Sequence, residues 1–128
     1  MHVMQESWGF PWEDVRWAAL PLGGGVGRSQ AVCGAISGGA MAIGMRLGQR
    51  GVERAELENE SRERTMEMVR RFRERFGLVD CSELTSHDFN DPAEYRKWRE
   101  SGLREETCVK YVSFVSRYLA EREIPGAS

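Results

Sequence analysis

A chain of 128 residues, 41% hydrophobic and 30% charged, has enough apolar material to bury one core and too much to stay disordered, so a single domain over residues 1–128 is expected. Its net charge of −2 and pI near 5.8 give no general attraction to nucleic acid or to an anionic membrane, and neither is expected as a partner. Three cysteines, an odd number, argue against a closed disulfide framework; in a reducing, cytoplasmic setting they would serve as core residues, metal ligands or redox thiols.

The N-terminal stretch lacks the basic start and apolar run of a secretory signal. His2 reads as part of a loose terminus. Phe10-Pro11 before Trp12-Glu13-Asp14 predicts a helix start, because proline at the first helical position needs no donor and the acidic pair suits the positive end of the dipole. Val15, Ala18 and Ala19 continue an apolar stripe that Pro21 stops. Trp8, Phe10, Trp12 and Trp17 present more aromatic surface than one short helix can cover.

Gly23-Gly24-Gly25-Val26-Gly27 permits positive φ and a close backbone approach. A phosphate-cradling loop also precedes a helix, but here no Lys-Ser/Thr ending follows and no strand leads in, so the wall of some other site is the better reading. Gly24, Gly25, Gly27 and Gly34 are accordingly the candidate cofactor-lining glycines. Ser29 reads as the N-cap of the next helix. On that helix Cys33, Ser37, Met41, Gly44 and Gly48 share one face, and Ile36, Ala40, Ile43 and Leu47 form an apolar row. Gly34 and Gly38 would admit a neighbouring helix. A helix that is small or apolar all round is a central one, and its uncharged run is shorter than the roughly 20 residues of a membrane span.

From Val52 to Phe76 the pattern predicts a long charged helix with Leu57, Thr65, Met68, Val69, Phe72 and Phe76 inward, and with Glu58–Arg62, Glu60–Arg64 and Glu67–Arg71 as i,i+4 pairs. Gly77 ends it. Asp80 caps a short helix that begins with Cys81, Asp91-Pro92 opens a helix carrying Tyr95 and Trp98, and Gly102 interrupts. A last helix from Glu105 to Glu123 places Cys108, Val112, Val115 and Leu119 on one face, with Pro125-Gly126 as a tail. No sustained period-2 alternation occurs, so the fold class is all-α, a bundle of about five helices around the Gly/Ala-rich one.

Cys33, Cys81 and Cys108 all fall near predicted helix starts, where free amides and the dipole favour a thiolate. No Cys-x-x-Cys is present, which excludes a local zinc claw or thioredoxin-type pair; any shared site must be assembled by folding. His87 could add a nitrogen ligand and Asp88 an oxygen, with Ser37 a weaker third. The same placement also suits cysteines that merely fill a core.

Cys33-Gly34-Ala35-Ile36-Ser37-Gly38 reads as Cys-Gly-Ala-x-x-Gly. It follows a Gly-Gly-Gly-x-Gly loop and is trailed by Phe72-Arg73-Glu74-Arg75-Phe76-Gly77, Cys81-Ser82-Glu83-Leu84 and Cys108-Val109-Lys110-Tyr111-Val112. In this order the chain resembles the redox-active C_GCAxxG_C_C family from about Trp8 onward. The resemblance implies a small helical domain with four cysteines, of which Cys33, Cys81 and Cys108 stand for the second, third and fourth. A similar cysteine arrangement accompanies an iron–sulfur centre in the split-Soret cytochromes c. Family members usually begin with a helix bearing Asn-Cys-Ala/Ser-Gln, which supplies the first cysteine, and this chain has no such residue; a downstream start or a shortened member would account for that.

The leading expectation is a cytoplasmic redox protein. Cys33, Cys81 and Cys108 would either hold an iron–sulfur cluster or other soft metal, with His87, Asp88 or a partner subunit as fourth ligand, or cycle between thiol and disulfide. An electron-transfer or transporter partner and a homodimer belong to this expectation. The alternative is a non-catalytic helical binding module with structural cysteines. Hydrolytic or transferase chemistry at Cys33, with His87 as base, ranks below both.

Overall fold

The protein is described by a computed structural model that covers residues 1–9, 13–122 and 124. In chain order it forms α1 (His2–Trp8), α2 (Val15–Ala19) and a 3-10 turn (Leu20–Leu22). A glycine turn (Gly23–Val26) then leads to α3 (Gly34–Gly48), α4 (Arg54–Phe76), α5 (Cys81–Thr85), α6 (Pro92–Glu100), a π-helical turn (Arg104–Cys108) and α7 (Val109–Glu121). Among the described residues the only β-structure is one antiparallel bridge, Val32 to Asp80. The all-α class holds, with seven α-helices rather than five among the described residues.

The expected central helix is central. Ile36, Ala42, Ile43 and Leu47 of α3 are buried with Met68 and Phe72 of α4 and with Tyr111, Val115 and Leu119 of α7. The residue that lets these helices close up is Gly39. A Cβ there would lie 2.7 Å from Val115 Cγ1 and 2.8 Å from Met68 Sδ, so only hydrogen fits. The glycines expected to play this part do something else: Gly34 abuts the Leu22 carbonyl and Gly38 abuts the Met1 amine. Phe72, Phe76, Tyr111 and Phe114 add a tilted and edge-to-face aromatic stack, with Phe76 and Tyr111 centroids 4.8 Å apart.

Several boundaries follow the expected chemistry. Gly77 ends α4 at φ 80, and the Asp91 side chain accepts from the Ala93 amide at 2.9 Å, with Pro92 in the first turn. Glu60–Arg64 and Glu67–Arg71 pair as read, at 2.9 and 3.0 Å. Glu58 instead takes Arg54 at 2.7 Å while Arg62 bonds Asn59.

Other expectations are corrected. The helix start at Phe10-Pro11-Trp12 and the tail at Pro125-Gly126 lie outside the described residues. His2 is no loose end: it opens α1 and pairs with Glu6 at 3.3 Å. The helix through Val15, Ala18 and Ala19 does end just before Pro21, at Ala19, and Pro21 itself sits inside the 3-10 turn that follows, whose first positions tolerate a missing donor. Ser29 caps nothing. Its hydroxyl donates to the Gly25 carbonyl at 2.8 Å, and α3 begins five residues later, at Gly34. Asp80 precedes α5 without a side-chain cap bond.

Candidate redox site

The glycine turn is a folded-back connection rather than a helix, because Gly24 and Gly25 stand at φ 66 in the left-handed region. Gly25 O accepts from Ala31 N at 2.9 Å, which turns the chain into the extended stretch before α3. That stretch pairs with the residues leading into α5. Cys33 N donates to Val79 O at 2.8 Å and Cys81 N to Ala31 O at 2.7 Å, on either side of the Val32–Asp80 bridge. In such a ladder residues 31, 33, 79 and 81 project to one face, so Cys33 and Cys81 are diagonal neighbours.

Cys108 arrives from the π turn, and the three cysteines line one cavity of about 440 Å³ together with Gly24, Gly25 and Gly34. Cys33 and Cys108 are half-buried and Cys81 is 7% exposed. Gly25 is a tight wall: a Cβ there would lie 2.7 Å from Cys81 Cβ and from both backbone atoms N and O of Ala31. Gly27, the fourth candidate glycine, has open space around it and does not line the cavity.

Burial dominates the thiol chemistry. It pushes Cys81 up to about 11, reinforced by the neighbouring Cys33 and Cys108 and opposed by Gln30. It raises Cys33 and Cys108 as well. At Cys33 the Ala35 and Ile36 amides at the start of α3 pull the other way, though no cap bond to the sulfur forms. At Cys108, Thr107 and Arg104 favour the thiolate. The Thr107 contribution is slight in our reading, since its single hydroxyl proton has a carbonyl, Leu103 O, at 2.6 Å and the sulfur only at 3.9 Å. The expectation of three positive helix ends facing the sulfurs is therefore corrected. Cys108 ends a π turn that runs straight into α7, with Val109 N already donating to Arg104 O, so no free helix end exists there.

The other candidates stand apart. The His87 ring Nδ1 lies 2.7 Å from Thr85 O and the ring does not line the cavity. Asp88 is exposed and accepts from Asn90 N. Ser37 Oγ leans back on Gly34 O at 3.4 Å. Among the described residues no three His, Cys, Asp or Glu side chains are gathered closely enough to hold a metal ion.

Four neighbours of the sulfurs were not singled out by sequence. Gln30, buried at φ 58, donates to His87 O at 2.6 Å and to Thr85 Oγ1 at 3.3 Å, and accepts from Phe89 N at 2.9 Å. It thereby ties the 86–90 loop beneath Cys81. Tyr111 donates to Leu84 O at 3.2 Å, and burial next to Cys108 and Cys33 raises its phenol. Trp98 and Arg104 line the cavity, the indole N–H buried without an acceptor and the guanidinium at the exposed rim. Of these, Trp98 reads as an aromatic on a short amphipathic helix and Tyr111 falls within the Cys108–Val112 stretch, while Gln30 and Arg104 carry no signal in the sequence.

No helix among the described residues is long and apolar enough to cross a membrane. No curated protein and no solved structure matches the chain. The family model described as "Putative redox-active protein (C_GCAxxG_C_C)" matches residues 1–122, and with Cys33, Cys81 and Cys108 in the motif's order around one cavity, the chain belongs to that redox-active family.

Proposed function

We propose that the protein is a thiol–disulfide exchange protein of a reducing, cytoplasmic compartment, working through Cys33 and Cys81 with Cys108 as a third thiol. The observation that carries this reading is that cysteines far apart in sequence line a single cavity, two of them on one face of a two-segment ladder. Cys33 is the attacking sulfur, its residue being more accessible to solvent than Cys81 and its thiol flanked by first-turn amides. Its thiolate attacks a partner disulfide, whose S–S bond breaks as a mixed disulfide forms, and the departing sulfur takes up a proton. Cys81, deprotonated in turn, attacks the Cys33 sulfur and releases the second partner thiol. Two electrons and two protons pass to the partner disulfide. Diagonal ladder neighbours stand roughly 7–8 Å apart at Cα, beyond the roughly 4.4–6.8 Å of a disulfide, so oxidation is expected to draw the two segments together.

A four-thiolate iron–sulfur cage does not fit the residues present: the cavity offers three thiols, His87 is turned elsewhere, and no metal-holding trio forms among the described residues. No step is assigned to such a centre. Exposed Trp17 and Leu20, 64% and 70% accessible, favour a homodimer through this corner, with light scattering of wild type against Trp17→Glu/Leu20→Glu as its measure.

The test is oxidation of the full chain with one equivalent of a small aromatic disulfide, followed by peptide mapping. A Cys33–Cys81 linkage that dithiothreitol reverses is the expected product. The raised thiols favour a second reading, a helical binding module with structural cysteines. Mixed adducts only, or no oxidation of the folded chain, would establish that reading instead.

The same thiols set a pH dependence. Cys81 titrates near 11 when folded against an ordinary 9.0, so the fold favours its neutral form. That stabilisation is complete below about pH 9 and is lost as pH climbs toward 11. Melting temperature should accordingly fall above about pH 9, and Cys81→Ala should flatten that alkaline fall. An unchanged alkaline limb in Cys81→Ala would show that other groups control it.

A further inference from the structure

Two neighbouring surfaces differ in how their cations are paired. On the solvent face of α4 most arginines are matched, Arg54 with Glu58, Arg64 with Glu60, Arg70 and Arg71 with Glu67 and Glu74, while Arg62 bonds Asn59 and Arg73 forms no ion pair among the described residues. In the groove between the C-terminal half of α4 and α7 the cations are not matched. There Arg75, Lys110, Arg117 and Arg122 line a depression of about 830 Å³ and form no ion pair among the described residues. Two carboxylates share this lining, Glu121 and Glu74, and Glu74 is already taken by Arg70 and Arg71. A chain of net charge −2 thus carries a cationic track. Its walls are aromatic: Arg75 lies 5.2 Å from the Phe76 ring centroid and Arg122 lies 3.8 Å from that of Tyr118.

Two features say what would lie there. Lys110 and Arg122 are spread over about 18 Å of helix at 1.5 Å per residue, whereas a single phosphate or other compact anion needs donors that converge. The track also runs into the cysteine cavity, since Val109 and Ser113 line both. Val109 and Val112, 52% and 45% exposed, form an apolar step between them.

We propose that this groove is the docking track for an extended acidic segment of the protein's redox partner, laid along α7 so that the partner's disulfide reaches the cavity mouth. The proposal rests on the thiol-exchange reading for what happens at that mouth, but the docking itself needs no thiol.

The experiment uses the full reduced chain and a fluorescein-labelled peptide of ten glutamates, read by anisotropy at low ionic strength. Saturable binding that weakens with added salt is expected, about tenfold weaker in Arg75→Glu/Arg117→Glu and within about twofold of wild type in the equally charged control Arg54→Glu/Arg62→Glu. Arg75→Gln/Arg117→Gln should fall between. Cys33→Ser should bind the peptide as wild type does, so a failed track and a failed thiol chemistry are told apart. Absent binding, equal loss in both double variants, or tighter binding of a ten-residue oligothymidylate than of the peptide at this groove would overturn the proposal, the last by making the occupant a nucleic acid.

Discussion

Gly25→Ala should cost about 3–4 kcal/mol of folding stability, about two to three times what the same change costs at Gly27. Both glycines hold a left-handed φ, 66 and 60, so alanine at either meets the roughly 1–2 kcal/mol penalty of that region. Only at Gly25 does the added methyl also strike something: Ala31 N and O and Cys81 Cβ, all at 2.7 Å. None of these can swing away, because Ala31 is bound on both sides, its N to Gly25 O and its O to Cys81 N. The clash must therefore open the ladder that holds Cys33 beside Cys81. Urea unfolding of the two variants checks this, together with the yield of the Cys33–Cys81 linkage, which should fall in Gly25→Ala alone. Equal losses at the two positions would mean that the glycine turn is no wall of the sulfur site.

Gln30→Ala should be the other large loss, about 3 kcal/mol. The side chain makes three bonds through a buried amide, and its removal leaves the Phe89 N–H and the His87 carbonyl without their partners. Gln30→Glu separates donor from acceptor. A carboxylate can still accept from Phe89 N but cannot donate to His87 O, so part of the stability should survive, with the His87 end of the loop released. Hydrogen exchange at the Phe89 amide and the alkylation rate of Cys81 report these changes locally; both should quicken in Gln30→Ala before the chain as a whole unfolds. Exchange unchanged at Phe89 would remove Gln30 as the tie.

What could be read from residues alone were the features whose chemistry is local. The long helix ending at Gly77 and the one beginning at Pro92 are set by caps and by the 3.6-residue stripe. The order of Cys33, Cys81 and Cys108 with their flanking glycines was legible too, which is why the family showed before any coordinates. What could not be read depends on distant partners. Ser29 has the chemistry of a cap, yet its hydroxyl finds the Gly25 carbonyl once the glycine turn folds back. The π turn before Cys108 has no composition of its own, since a shift from i−4 to i−5 bonding leaves the residue types unchanged. Gln30 is an ordinary loop glutamine until Thr85, His87 and Phe89 close around it.

The count of sulfurs at the cavity has a consequence of parity. Three thiols allow three pairings, and each leaves one sulfur single. On the proposed thiol exchange, an oxidised form built this way would never be chemically closed: the unpaired thiol lines the same cavity as the bond just made and could attack it, passing the linkage from one pair to another without an outside reductant. A fourth sulfur would end that circulation by pairing with the third. With three thiols at the cavity, the proposed exchange would leave a free nucleophile in each one-disulfide state, and oxidation would change which cysteine that is rather than whether one exists.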